Sequence, residues 1–231
     1  MSKIKCVRFL LLSVLFLTVL IFFSCAPAFA FIAAAGEIPP QEVINASSDF
    51  YFKQAKDFVV DFKVDSKLKD IAFEGNFRLR APFDFAIEAK SAALEVRVAF
   101  KGGDGFIYLP TANIITNLDA VTRAKTKGIQ IPATVEQLNE RLSKLNDEFE
   151  LEAVENGGQI MLGGISKTGR GSFKAVIDKA SREVRSVATF NKKGVEELLI
   201  ELKNFKYEPA DNKLFEKPQG AIETNLPIPV F

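Results

Sequence analysis

Residues 57–90 read DFVVDFKVDSKLKDIAFEGNFRLRAPFDFAIEAK, and every second position is a large apolar side chain over most of that length. Phe58, Val60 and Phe62 come first. After the turn Asp65-Ser66-Lys67 follow Ile71, Phe73, Phe77 and Leu79, and past Ala81-Pro82 follow Phe83, Phe85 and Ile87. The intervening positions are mostly charged or small. Successive side chains on a strand point to opposite faces, so the stretch describes antiparallel strands with one oily and one wet surface.

The pattern continues C-terminally through Leu94, Val96, Val98 and Phe100, then across Gly102-Gly103-Asp104-Gly105 to a strand at Phe106 to Leu109. These turns are short, so neighbouring strands pair as a meander. After Ile114 and Ile115 the alternation stops, and the basic stretch containing Arg123, Lys125, Lys127 and Gly128 reads as a loop, with Gly128 and Pro132 as hinge positions. Thr134 with Gln137 makes a capping box for a helix running to Phe149, whose apolar face is Val135, Leu138, Leu142, Leu145 and Phe149. Strands resume from Glu148 through the hairpin Asn156-Gly157-Gly158, then at Ser172 to Asp178, Glu183 to Phe190 and Val195 to Phe205. In this half Phe173, Ala175 and Ile177, then Ala188 and Phe190, then Leu198, Ile200 and Leu202 carry the apolar side. Pro209, Pro218, Pro227 and Pro229 suit a closing edge strand and tail.

Upstream, Pro39 and Pro40 open a helix whose Val43, Ala46, Ser47, Phe50 and Tyr51 repeat at helical spacing. Ten or eleven strands and two or three helices are then expected, which is too much sheet for the helices to cover flat. The expected fold is mainly β, one strongly curved antiparallel sheet wrapping around its helices, with a Phe-rich interior that protein only partly fills.

At the N-terminus Lys3, Lys5 and Arg8 precede the apolar run from Phe9 to Phe23, and Ala28-Phe29-Ala30 offers small residues at the positions a signal peptidase inspects. Residues 1–30 are read as a secretory signal and 31–231 as one domain. Ser24-Cys25-Ala26 offers an alternative, acylation at Cys25, and an uncleaved leader is a third.

Composition narrows the chemistry further. His is absent and both cysteines, Cys6 and Cys25, lie in the leader. That removes His general bases, thiolate nucleophiles, Ser-His-Asp triads, His or Cys metal sites and structural disulfides from the mature chain. The balance of 30 basic against 29 acidic residues becomes 27 against 29 without Lys3, Lys5 and Arg8, leaving no basic footprint for nucleic acid. Ser166-Lys167 and Ser172 with Lys174 are the Ser/Lys candidates, but adjacent Ser and Lys on a strand point oppositely, and Glu74, Glu88 and Glu95 fall on the wet face. Gly163-Gly164 and Gly169-Arg170-Gly171 open no helix, so neither is a phosphate loop. No catalytic residue, metal ligand or cofactor is assigned.

The order of elements, together with Phe58-Val59-Val60-Asp61-Phe62, Gly75-Asn76-Phe77-Arg78-Leu79-Arg80-Ala81-Pro82, Asp104-Gly105 leading to Tyr108 and Pro110, and the tail Phe205, Asn212, Leu214-Phe215 and Pro218-Gln219-Gly220, resembles the LolA-type outer-membrane lipoprotein carrier superfamily. The resemblance implies an open half-barrel covered by a helical lid, in the periplasm or an equivalent envelope space. It also implies acyl chains of lipoproteins or lipids as ligands, an inner-membrane donor, an outer-membrane acceptor and a monomer. The groove it implies is lined by Phe58, Val60, Phe62, Phe73, Phe77, Leu79, Phe85, Ile87, Val96, Val98, Tyr108, Phe173, Ile177, Phe190 and Ile200, with Val135, Leu138, Leu142 and Leu145 on the lid helix. A regulator of the same fold that senses lipidated proteins, and a receptor anchored through Cys25, are the alternatives. Carriers of this type usually place an Arg in the strand after the Pro; here that strand reads Phe83-Asp84-Phe85-Ala86-Ile87-Glu88.

Overall fold

The computed structural model of the chain describes residues 36–67, 70–81, 83–102, 104–117 and 135–224. The leader with Cys25 and Ala30, the basic residues Arg123, Lys125 and Lys127, the hinge positions Gly128 and Pro132, the cap Thr134, the side chain of Val135, and Pro227 and Pro229 lie outside the described residues.

The alternating stretch becomes β2 (Phe58–Ser66), β3 (Ile71–Arg80), β4 (Asp84–Lys90), β5 (Glu95–Lys101), β6 (Asp104–Leu109) and β7 (Ile114–Asn117), each antiparallel to the next. A second meander follows from β8 (Phe149–Asn156) through β9 (Gln159–Ser166), β10 (Gly171–Asp178) and β11 (Val184–Asn191) to β12 (Glu196–Lys206). The two meanders are joined where β12 pairs antiparallel with β2, Leu198 opposite Ser66 and Leu202 opposite Phe62. A two-residue β1 (Gly36–Glu37) borders β8, and β13 (Ile222–Thr224) runs parallel to β7 at the opposite edge. The described residues thus form one thirteen-stranded sheet, curved and open, because β1 and β13 do not meet.

Three strands exceed or sharpen the sequence expectation: β1, β7 and β13, two to four residues each. Segments that short carry no readable period, and only their neighbours make them strands. Register shifts in β10–β11, β11–β12 and β12–β2 add local twist, which bends the sheet.

Both long helices lie against the concave face. The first, α1 (Pro40–Asp49), starts with Pro40 just inside it, where a missing amide hydrogen costs nothing, and runs into a π-helical turn at Phe50–Gln54 closed by Ala55 N–H to Phe50 C=O at 2.8 Å. The second is shorter than its sequence period suggests. Helix α2 spans Val135–Ser143, stops at Lys144, and is followed by the single turn α3 (Leu145–Glu148); Phe149 already belongs to β8. Lys144 N–H bonds Arg141 C=O at 3.1 Å, a tightened final turn, and the break lets Leu145 insert fully into the core.

Two apolar clusters result. The large one fills the concave side. The small one lies on the convex side, where Ala86, Ala99, Phe106 and Ile115 are covered by Phe215 from the 3-10 turn Asn212–Phe215 of the C-terminal segment. The Arg80 guanidinium sits 4.3 Å from the Phe215 ring centre and pairs with Asp84 at 2.6 Å, and it also bonds Asn212, which pins the tail to the sheet.

Candidate functional site

On the concave face the sheet divides into a packed part and a hollow part. Over β3, β4 and β5 the aromatic rings fill their own space: Phe85 stacks on Phe100 at 5.3 Å, meets Phe83 edge-on at 6.3 Å and lies 6.3 Å from Phe77. Between α1, α2, α3 and the strands β2, β3 and β9 to β12, by contrast, side chains leave a cavity of about 220 Å³. An apolar cavity of ~150 Å³ already admits benzene, so this one has room for hydrocarbon.

Of the groove residues read from sequence, Phe58, Val60, Phe77, Leu79, Phe173 and Ile177 line the cavity, and Leu138, Leu142 and Leu145 close it from the helices. Phe62, Phe73, Phe85, Ile87, Val96, Val98 and Ile200 are buried in the solid core beside it and do not line it. Two residues face the other way. Tyr108 stands on the convex side, because the register that pairs Phe100 with Gly105 puts Ile107, not Tyr108, on the concave side. Its hydroxyl donates to Asn113 Oδ1 at 3.2 Å. Phe190 pairs with Ser172, so both point away from the face that carries Phe173. The cause is the bulge at Arg185: Val176 pairs with Ser186 but Ile177 with Val184, and one extra residue flips every later side chain. Val184 and Val187 therefore both line the cavity, while Ala188 and Phe190 turn outward.

Walls that the sequence reading did not name as groove come from α1 and its π-helical extension, Ile44, Ser47, Ser48, Tyr51 and Phe52, and from Phe83, Leu162, Ala175, Val184, Val187, Leu202 and Phe205. The signal for the first group was present, since Ser47 and Tyr51 lie on the periodic face of that helix. The helix is a wall of the cavity as much as the lid is.

Polar contacts hold the helices together. Ser48 Oγ donates to Asn139 Oδ1 at 2.5 Å, and Asn146 Nδ2 donates to Gln41 Oε1 at 2.9 Å, tying α2 and α3 to α1. At the cavity rim the Val184 N–H donates to the Tyr51 hydroxyl at 2.8 Å, and burial holds that phenol well above its ordinary pKa. Next to it Glu183, 6% exposed, accepts from Ser181 Oγ at 2.9 Å and from Tyr207, and pairs with Arg185 at 2.6 Å. This buried carboxylate is fully partnered, as its burial requires. The rim aromatics Phe50, Tyr51, Phe205 and Tyr207 meet at ring separations of 5.2 to 6.4 Å.

Among the described residues no group of His, Cys, Asp or Glu is placed to hold a metal ion, and no helix is long and apolar enough to cross a membrane. Ser166 Oγ meets Thr168 Oγ1 at 2.9 Å and Lys167 Nζ reaches Asn146 C=O, so the two are not paired with each other.

Comparison of the sequence with protein-family models and with curated proteins gives no match. Solved structures do match. An uncharacterized conserved protein from Thermus thermophilus overlaps at a TM-score of 0.55 with 14% identity, over 80% of this chain and 97% of that one. MucB in the Pseudomonas aeruginosa MucA/MucB complex overlaps at a TM-score of 0.50 with 13% identity, over 76% of this chain and 60% of that one, so this chain spans less than two thirds of it. A LolA superfamily protein from Nitrosomonas europaea is also among the similar structures, at 10% identity and a TM-score of 0.36, over 78% of this chain and 98% of that one. The first two overlaps establish the fold: an open, curved antiparallel sheet with helices on its concave face, as in the Thermus protein and in part of MucB.

Proposed function

We propose that this chain is an exported, non-enzymatic carrier that binds acyl chains of lipids or lipoproteins non-covalently and moves them within the cell envelope, from an inner-membrane donor to an outer-membrane acceptor. The observation that carries this reading is the hollow between the helices and the concave sheet, walled almost wholly by hydrocarbon. Each methylene withdrawn from water into such a site gains about 0.8 kcal/mol, so the walls supply affinity without any reactive group. Export is supported by the charged and apolar leader ending in Ala28-Phe29-Ala30. For α2 to admit a chain longer than the closed cavity holds, the Ser48–Asn139 bond must break and Leu138 and Leu142 must leave their buried positions, and the entering hydrocarbon restores that burial.

Native mass spectrometry of the protein, gently extracted from its own cells, is expected to reveal a co-purifying lipid or lipidated peptide. In titrations with a fluorescent fatty-acid probe, Leu142→Asp on the covering helix is expected to weaken binding more than about tenfold, because an unpaired carboxylate then faces the apolar cavity. Unchanged probe affinity in a folded Leu142→Asp protein would reject the cavity as the binding site.

A second reading has its own support. The overlap with MucB in complex with MucA favours a chain that binds another protein through this fold, as the regulator alternative requires. Crosslinking to one specific membrane protein, retained in Leu142→Asp, would select it over the carrier.

A further inference from the structure

Among the described residues, the polar side chains that line the cavity come from one segment: Ser47 and Ser48 on α1 and Tyr51 in the π-helical turn. Ser48 is committed to Asn139. Ser47 Oγ is buried and has no hydrogen-bond partner among the described residues. Tyr51 accepts the Val184 N–H, but its own hydroxyl hydrogen meets no acceptor among the described residues. Ser47 and Tyr51 stand one helical turn apart, and such pairs share a face. Both line the cavity. Burial keeps the Tyr51 phenol protonated across the physiological range, so it is a permanent donor.

Of the buried side-chain polar atoms without a partner among the described residues, Ser47 Oγ is the one that lines the cavity, and with the half-buried Tyr51 hydroxyl beside it the pair raises the question of what it serves. Among the described residues the cavity is lined by no Lys or Arg. An ionised carboxylate would enter it unpaired, at a large desolvation cost, whereas a neutral carbonyl oxygen only needs a donor. We infer that Tyr51 and Ser47 are specificity-determining residues that hold the carbonyl oxygen of a neutral acyl ester, so that the cavity takes ester-linked acyl chains in one orientation, with hydrocarbon along Phe58, Phe77 and Phe173. This inference rests on the lipid-binding reading and adds the ligand's polar chemistry to it. The π-helical turn has a role here, since it widens the helix just where Tyr51 turns toward the sheet.

The test uses the full mature chain and three ligands of matched length: a saturated fatty-acid methyl ester, the free acid and the alkane, each competing against a fluorescent apolar probe. Wild type is expected to prefer the ester over the alkane by roughly three- to tenfold per hydrogen bond, and over the ionised acid. Tyr51→Phe keeps the ring, and in it the preference for ester over alkane is expected to fall to about parity while alkane affinity stays within about twofold. Ser47→Ala, a substitution that favours the helix, is expected to give a smaller loss in the same direction. The infrared C=O stretch of the bound ester should lie lower in wild type and return upward in Tyr51→Phe. Because Tyr51→Phe also removes the acceptor of the Val184 N–H, ester and alkane are compared within each variant, which cancels any loss of stability. An ester preference that survives both substitutions, or ester and alkane affinities that fall together, overturns the inference and leaves the lipid-binding reading intact. Failure of wild type to bind ester, acid and alkane alike overturns both.

Discussion

Gly75→Ala is expected to lower the melting temperature by roughly 6–12 °C. Gly75 sits in mid-strand, paired with Phe62 on one side and Ala89 on the other. A Cβ there would lie 1.9 Å from the Glu88 carbonyl oxygen and 2.8 Å from Ala89 Cα, both backbone atoms of β4. The obstacle is a neighbouring strand held in its own ladder, so neither side can give way by rotating a side chain. Overpacking a core costs about 1–3 kcal/mol, and a backbone clash belongs at the upper end. At about 2–4 °C per kcal/mol for a chain of this size, the shift follows. Gly163→Ala is the internal control. The nearest atoms to its Cβ would all belong to the Glu152 side chain, at 3.2 Å and beyond, and that flexible, exposed side chain can swing into solvent. Calorimetric melts of the two variants that differ by less than a degree or two would show that β3 and β4 do not approach as closely as described.

The second large effect concerns binding. Gly164 faces Phe173 across the β9–β10 pair and Leu151 across β8–β9. A Cβ at Gly164 would stand 2.2 Å from Phe173 Cε1 and 2.9 Å from Leu151 Cδ2. The Phe173 ring already packs edge-on against buried Phe149 at 5.3 Å, so its free direction is into the cavity it lines. Gly164→Ala is therefore expected to shrink the cavity and weaken fatty-acid probe binding about tenfold or more, with a stability cost of about 1–3 kcal/mol. Adding Phe173→Leu to the Gly164→Ala protein should restore much of the affinity. Full probe affinity in Gly164→Ala would mean that Phe173 does not define the cavity width.

Much of this architecture was legible in the chain. Alternation from Phe58 to Phe100 gives the concave face of β2 to β5 residue by residue, because side-chain direction on a strand depends only on local geometry. Alternation misleads where one residue breaks the phase, as at Arg185, or where both faces of a strand are apolar, as in β6. There Phe106 and Tyr108 are covered by the returning tail and Ile107 by the concave core. A period of two cannot rank two apolar faces. Helical spacing found the face of the second helix but ran through Lys144, since Leu145 and Phe149 keep the period after the helix has ended.

Local chemistry alone, then, settled that the chain makes a two-faced sheet and two amphipathic helices, and composition showed that any site it has is built without His. Only the tertiary structure decided that β12 closes onto β2, that rings over β4 and β5 fill their own volume, and that Gly164 leaves the room beside Phe173. The first of those outcomes joins residues far apart in the chain, and the other two depend on side chains of neighbouring strands meeting at particular distances. A hollow is what packing leaves over, and no single segment encodes it.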